Sequence, residues 1–298
     1  MKSIVIHVGA PRTGTTVIQK HLLRLCSKAL VLSKKPFASS SGDKSRAEQI
    51  QDVKRLLGLK SLSGLDDAAL TGIFNLLYIC CRELSCQEPK GMCIKPLDHV
   101  VRLLSLHNTN ILISSERLLN THASVDCLSS HRHGSDNRYP LYALINALRK
   151  AEVIPLISVC LRNPVEHLRS RYCRNLIQRK VNKKRALGPD EYIQKQSSLE
   201  ISHPGTSALA PAFHSEFVGE LQRYGFVKAF GFQDLIASND VFSLIGLQGE
   251  KAYAFQDFPR EHKLPFTKEE EQAIEGDIVE ALKRHSLYDK LLRTQVYE

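Results

Sequence analysis

The chain has 298 residues, of which 43% are hydrophobic and 24% are charged. This composition is typical of a globular protein and excludes a collagen-like, coiled-coil or disordered chain, and a chain of this length buries enough surface to fold without disulfides. Lys and Arg outnumber Asp and Glu by 41 to 31, a formal charge of +10. We therefore expect an anionic partner: a phosphate, a nucleic acid, an acidic glycan or a membrane surface.

The sequence favours a cytoplasmic protein with reduced thiols. No apolar run approaches the roughly 20 residues that a membrane helix needs, so we predict no membrane span. Residues 1–6 enter a strand pattern without the apolar core of a signal peptide. Four of the eight cysteines cluster at positions 80, 81, 86 and 93, but they form no paired CxxC units. Buried thiols are therefore favoured over a zinc site, and we predict no metal.

The hydrophobic pattern alternates strands with helices. Strands are predicted at residues 4–8, 110–115, 153–161 and 226–230. Helices are predicted over residues 15–32, 45–58, 66–85, 139–150, 164–181 and 212–224, and from about 267 and 286. The intervening stretch with Pro189, Pro204 and Pro211 is predicted to be rich in loops. Strands separated by helices indicate an α/β fold with a mainly parallel central sheet, and no linker divides the single domain 1–298.

The first strand leads into the glycine loop Gly9-Ala10-Pro11-Arg12-Thr13-Gly14-Thr15-Thr16. Two glycines separated by four residues, between a strand and a helix, are typical of a loop that binds phosphate through backbone N–H groups. A kinase or ATPase loop of this type carries a Lys where Thr15 stands, and that Lys reaches the β and γ phosphates. The cation of this loop is Arg12, so the sequence predicts a phosphate site that is not built for a kinase.

Residues 6–16, with Gln19 after them, resemble the 5′-phosphosulfate-binding loop of the sulfotransferases that use 3′-phosphoadenosine 5′-phosphosulfate (PAPS), above all the bacterial branch. That family has a basic residue at the position of Arg12, then a hydroxyl residue, a Gly and two Thr. The resemblance implies a P-loop NTPase-like α/β fold and release of adenosine 3′,5′-bisphosphate (PAP). It assigns these residues to cofactor binding: Gly9, Pro11, Arg12, Thr13, Gly14, Thr15 and Thr16.

A second element of the family is an Arg at the end of a later strand and a Ser eight residues on, which together bind the 3′-phosphate. Here Arg162 follows the strand that ends at Leu161, and Ser170 lies at the required separation. Arg offers a planar fork to a phosphate dianion, and Ser adds a hydroxyl donor. The family's cytosolic branch has a Trp at the adenine where this chain has Val17. This chain contains no Trp, so its adenine contact must differ.

Sulfuryl transfer also requires a group that removes the acceptor proton and a cation beside the leaving phosphate. The resemblance gives the cation role to Arg12. Glu116 directly follows a strand, where ligands collect in open α/β sheets, and is the first candidate for the general base. The alternative is that Glu116 solvates the start of the next helix. His7 is the second candidate for a direct catalytic role, and His131 and His133 fit a solvated loop better than a site.

The sequence therefore predicts a PAPS-dependent sulfotransferase that acts on a small-molecule or glycan hydroxyl, and insertions at 33–108 and 180–212 are expected to form the acceptor site. Residues 162–185 carry nine Lys or Arg and one acid, Glu166. The run from Arg179 to Arg185 fits a solvated face, an anionic acceptor or nucleic acid. Arg260 or Lys263 would close over the cofactor. The alternatives are a kinase with a degenerate loop and a basic nucleic-acid-binding protein. Because the sequence lacks the motifs of nucleic-acid-binding proteins, we expect no nucleic-acid partner.

Overall fold

The computed structural model describes residues 3–9, 15–33, 57–85, 94–119, 140–202, 207–258 and 265–295. In these ranges the strands are β1 (Ile4–Gly9), β2 (Ala29–Ser33), β3 (Asn110–Ser114), β4 (Leu156–Leu161) and β5 (Phe226–Gly231). The first α-helices are α1 (Thr15–Lys20), α2 (Asp67–Leu84), α3 (Ile94–Leu106), α4 (Pro140–Lys150) and α5 (Pro164–Val181). The later ones are α6 (Pro189–Ser202), α7 (His214–Gln222), α8 (Phe232–Ala237), α9 (Val241–Leu244), α10 (Lys268–Arg284) and α11 (Tyr288–Thr294). Short 3₁₀ helices occupy Leu22–Leu25, Glu116–Leu119, Ala210–Ala212 and Phe255–Asp257.

The five strands form one sheet in the order β2-β3-β1-β4-β5, and every pairing is parallel. The central strand β1 is buried at all six positions, and its Ile6 pairs with Ile113 on β3 and Ile157 on β4. Continuous apolar runs of this kind suit strands whose two faces are both covered. The predicted α/β class with a mainly parallel sheet is confirmed.

Apolar side chains bury both faces of the sheet and form a third cluster beside it. On one face Phe74 of α2 packs with α3 and α4 against β1, β3 and β4. On the other face Ile18 of α1 and Phe242 of α9 belong to a cluster with β1, β3 and β4. The third cluster includes Leu168 and Ala281, and joins α5, α6, α10 and α11 into a helical layer. Among the described residues, no helix combines the length and the apolarity needed to cross a membrane.

The structure differs from the sequence prediction in several places, and α3, α8 and α9 are helices that the sequence did not predict. The helix predicted over 15–32 is wrong in extent, because α1 ends at Lys20 and residues 29–33 form the edge strand β2 beside β3. The stretch predicted as loop contains α6, which begins at Pro189 with Asp190 and Glu191 in its first turn. Proline is well tolerated at that position, and acids there interact favourably with the helix dipole.

Some predictions fall outside the described residues. The helix predicted at 45–58 lies there except for its end, and so do Cys86, Cys93, Arg260 and Lys263. The two remaining cysteines of the cluster, Cys80 and Cys81, are buried on α2, as predicted for thiols in an apolar stretch. Within the described ranges, no three His, Cys, Asp or Glu side chains form a group that would hold a metal ion.

Candidate functional site

Three segments that the sequence analysis singled out follow neighbouring strands. The glycine loop follows β1, Glu116 follows β3 after one intervening residue, and Arg162 directly follows β4. Because β1 lies between β3 and β4 and all three are parallel, their carboxyl ends meet at one edge of the sheet. The chain leaves β1 toward β2 and leaves β4 toward β5, so the connections diverge between β1 and β4. Open α/β sheets bind ligands at such a point.

The glycine loop connects the end of β1 to the start of α1. Gly9 closes β1 in register with Cys160, and α1 begins at Thr15. Pro11, Arg12, Thr13 and Gly14 lie outside the described residues, as do the side chains of Thr15 and Thr16. The strand, loop and helix follow one another as the motif requires, and the roles of the loop residues stay predictions.

A buried polar network lies beneath this edge, around His7 of β1. His7 is fully buried and pairs in register with Ser114 on β3 and Ser158 on β4. Its Nδ1 lies 3.0 Å from the Ser114 hydroxyl, and the Gln19 amide donates to the Ser114 carbonyl at 3.1 Å. Burial lowers the pKa of His7 to about 4. His7 is therefore a neutral group that joins β1 to β3, rather than a cation of the site.

Glu116 is the first residue of the 3₁₀ helix that follows β3. The segment is fixed to β1 just before it, because the Ser115 N–H donates to the His7 carbonyl at 3.1 Å. The Glu116 side chain lies outside the described part of the structure. Its backbone thus starts at the shared edge of β1 and β3, and the base role stays a prediction.

Arg162 is held from three directions. Its Nε donates to the Glu166 carboxylate at 2.7 Å, and its guanidinium carbon lies 5.1 Å from the ring centre of Phe232. Its carbonyl oxygen accepts a hydrogen bond from Nε2 of His214 at 2.9 Å. The Arg162 side chain is 19% exposed, whereas Ser170 on α5 is only 3% exposed. A phosphate that contacted both would therefore be largely enclosed.

The ring of Phe232 lies beside Arg162 and shares one apolar cluster with Phe255, Tyr253 and Phe258. Phe232 follows Gly231, which pairs with Leu161, so Phe232 and Arg162 leave adjacent strands at the same level. Phe232 packs edge-on against Phe255 at 6.4 Å between ring centres. Phe258 lies 6.1 Å from the His21 ring and 6.4 Å from the Tyr253 ring. Aromatic rings can stack with a planar ligand group, and a guanidinium beside them attracts an anionic one.

Sequence reasoning missed the partners of Arg162. The four-residue separation of Arg162 and Glu166 is a detectable signal for an ion pair, and Phe232 follows a predicted strand at the carboxyl edge of the sheet. Nothing in the sequence connects His214 with Arg162, since 52 positions separate them.

Two buried imidazoles lie near Arg162. Burial, followed by the charges of Arg171 and Arg162 and the nearby His214, lowers the pKa of His167 to about 3. Burial also lowers the pKa of His214, and this effect exceeds the opposing hydrogen bond to the Arg162 carbonyl. Both imidazoles are neutral near pH 7, so the arginines supply the positive charge here.

A cleft of about 580 Å³ runs along β2, next to α1 and the start of α2. Its polar lining includes Gln19, Ser33, Asp67 and Thr71, and its apolar lining includes Leu23. Gln19 also belongs to the network around His7, so the cleft adjoins the carboxyl edge of the sheet. The volume lies in the range of small-molecule sites.

No family model and no curated protein matches this sequence. Among solved structures, a sulfotransferase from Alicyclobacillus acidocaldarius is similar over 97% of this chain and 96% of its own. The two chains are 13% identical, and the TM-score is 0.42.

Proposed function

We propose that this protein is a PAPS-dependent sulfotransferase that transfers a sulfuryl group to an acceptor hydroxyl. One observation carries the proposal: the phosphosulfate-type loop and Arg162 follow β1 and β4, which are adjacent strands whose connections diverge. Two motifs that lie about 150 residues apart in the sequence thereby reach one ligand-binding edge.

The residues around Arg162 suit a nucleotide that carries a 3′-phosphate. Glu166 accepts from Nε of the guanidinium, whose carbon lies over the ring of Phe232. Arg162 then binds the 3′-phosphate together with Ser170, while the glycine loop binds the 5′-phosphosulfate through backbone N–H groups. Phe232 and its aromatic neighbours offer the stacking surface for adenine that this Trp-free chain needs.

The transfer forms a bond between the acceptor oxygen and sulfur and breaks the bond between sulfur and the bridging oxygen of the 5′-phosphate. PAPS supplies the activated sulfuryl group. Arg12 neutralises the charge that develops on the leaving phosphate, and the Glu116 carboxylate accepts the acceptor proton. Neutral His7, joined to Ser114 and to the Ser115 N–H, holds the strand end from which Glu116 starts.

The acceptor is a small-molecule or glycan hydroxyl, and the cleft along β2 supports the smaller class. Asp67 and Thr71 line this cleft and belong to the insertion at 33–108. Gln19 connects the cleft to the edge where Glu116 begins. An acceptor in the cleft would therefore have its hydroxyl near the general base.

Calorimetric titration with PAP and with adenosine 5′-monophosphate, which lacks the 3′-phosphate, tests the proposal. Wild-type protein should bind PAP more tightly. Arg162→Ala should weaken PAP binding by about 1.5–3 kcal/mol, or about 10- to 150-fold, because one charged contact is lost, and should leave adenosine 5′-monophosphate binding unchanged. Arg82→Ala, which removes a surface cation paired with Glu83 on α2, is the matched control. If the folded wild-type protein does not bind PAP, the proposal is refuted.

A further inference from the structure

His214 joins the start of α7 to the strand end that carries Arg162. It is the first residue of α7 and is fully buried. Its Nε2 lies 2.9 Å from the Arg162 carbonyl oxygen. A carbonyl only accepts hydrogen bonds, so Nε2 carries the proton and donates it. Burial lowers the pKa of His214, so this donor is a neutral imidazole that adds no charge beside the arginine.

The bonded carbonyl lies where the chain turns from β4 into α5. Leu161 is the last residue of β4 in register with β5. Asn163 caps α5, and its side chain accepts from the N–H groups of Val165 and Glu166 at 3.0 and 3.3 Å. Arg162 therefore lies between two fixed segments, and the bond from His214 sets its peptide plane.

The peptide plane of Arg162 determines where its guanidinium starts. The side chain donates to Glu166 at 2.7 Å, and its guanidinium carbon lies over the Phe232 ring at 5.1 Å from the ring centre. A rotation of the backbone would shift the guanidinium against both contacts. Bidentate recognition of a phosphate depends on the position of this planar fork, so it is sensitive to such a shift.

We propose that His214 is a positioning residue for phosphate binding by Arg162, acting through its Nε2 hydrogen bond to the Arg162 carbonyl. The anion is a phosphate monoester, and the inference rests on the proposed function because it takes this anion to be the 3′-phosphate of the nucleotide. Loss of the hydrogen bond weakens binding of ligands that carry the 3′-phosphate and leaves ligands without it unaffected.

Two amide variants separate this role from a merely structural one. In His214→Gln the amide nitrogen reaches the former position of Nε2 and keeps the donor. In His214→Asn it reaches only the position of Nδ1 and loses the contact. His99→Asn is the matched control, since His99 on α3 makes a similar bond to the Leu59 carbonyl at 3.1 Å, between segments that carry none of the proposed site residues.

Calorimetry with PAP and adenosine 5′-monophosphate measures the effect on the otherwise intact protein. His214→Asn should raise the Kd for PAP by about 5- to 10-fold, as expected for one lost hydrogen bond. It should not change the Kd for adenosine 5′-monophosphate. His214→Gln should restore PAP binding to near the wild-type value, and His99→Asn should change neither Kd. In an Arg162→Ala background, His214→Asn should have no further effect on PAP binding.

The outcomes distinguish the two proposals. If wild-type protein binds PAP but His214→Asn weakens both ligands equally, or neither, the positioning role is overturned and the proposed function stands. If wild-type protein does not bind PAP, both proposals fail. Should His214→Asn not fold, His214→Leu, which also lacks a donor, takes its place, and His214→Gln must still bind PAP like the wild type.

Discussion

Acidification is expected to destabilise the folded protein through two buried histidines. Burial is the main cause that lowers the pKa of His7 to about 4 and that of His167 to about 3, from an ordinary value of 6.5. Both groups titrate near 6.5 when the chain unfolds. Below that pH the unfolded chain binds protons that the folded protein does not bind, so the free energy of unfolding falls as the pH drops.

The size of the effect follows from these pKa values. At pH 5 each histidine is almost fully protonated in the unfolded chain and mostly neutral in the folded protein. Linkage then gives a loss of about 2 kcal/mol for each of the two residues relative to pH 7.5. The contribution of His7 and His167 to the free energy of unfolding is thus fully present above about pH 6.5, and it is lost progressively as the pH falls below that value. A loss of about 4 kcal/mol is a large share of the free energy of unfolding of a typical folded protein, which is about 5–15 kcal/mol.

Urea denaturation at pH 7.5 and pH 5 measures this loss in wild type and in His7→Asn. Asn does not titrate, so the variant should lose about 2 kcal/mol less than the wild type between the two pH values, whatever its stability at pH 7.5. Val8→Ala, a buried substitution on the same strand, is the control, because it should destabilise the protein equally at both pH values. An equal acid-dependent loss in His7→Asn and wild type would refute a buried, neutral His7.

Two further predictions concern a turn and the proposed base. Gly246 has φ of +90°, and a Cβ there would overlap the Leu156 side chain, so Gly246→Ala should destabilise the protein by about 1–2 kcal/mol in urea denaturation. Gly219→Ala, in an ordinary helical position with open space around it, should be neutral or slightly stabilising. Glu116→Ala should reduce sulfuryl transfer from labelled PAPS by about 10²- to 10⁴-fold with unchanged PAP binding. Unchanged turnover would remove Glu116 from the base role.

The sequence was sufficient to predict four strands of the sheet but not the edge strand β2. β1, β3, β4 and β5 are short apolar runs bounded by polar or turn residues, which is a pattern that predicts buried strands. β2 continues an apolar pattern that begins in α1, so helical spacing fits residues 15–32 equally well. Only pairing with β3 makes residues 29–33 a strand, and that pairing is a tertiary contact between residues about 80 positions apart.

The candidate site shows the same division between local and tertiary information. The loop after β1 and Arg162 after β4 were found because each motif lies within a short stretch of sequence. Phe232 and His214 contact Arg162 from 70 and 52 positions away, and neither residue type signals that contact. Strand order brings Phe232 next to Arg162, and packing of α7 brings His214 there.

The positive charge of residues 162–185 divides along α5. A helix rises about 1.5 Å per residue, so Arg179 lies about 23 Å along the axis from the N-terminal end beside Arg162. At that far end Arg179 donates to the Arg185 carbonyl at 2.7 Å, and Arg185 pairs with Glu191 at 2.6 Å. These cations cannot share a phosphate with Arg162, and some of them stabilise the C-terminal end of the helix. A small acceptor at the carboxyl edge of the sheet therefore does not contact the cations at the far end of α5. Only an acceptor longer than about 20 Å can contact both ends of the helix.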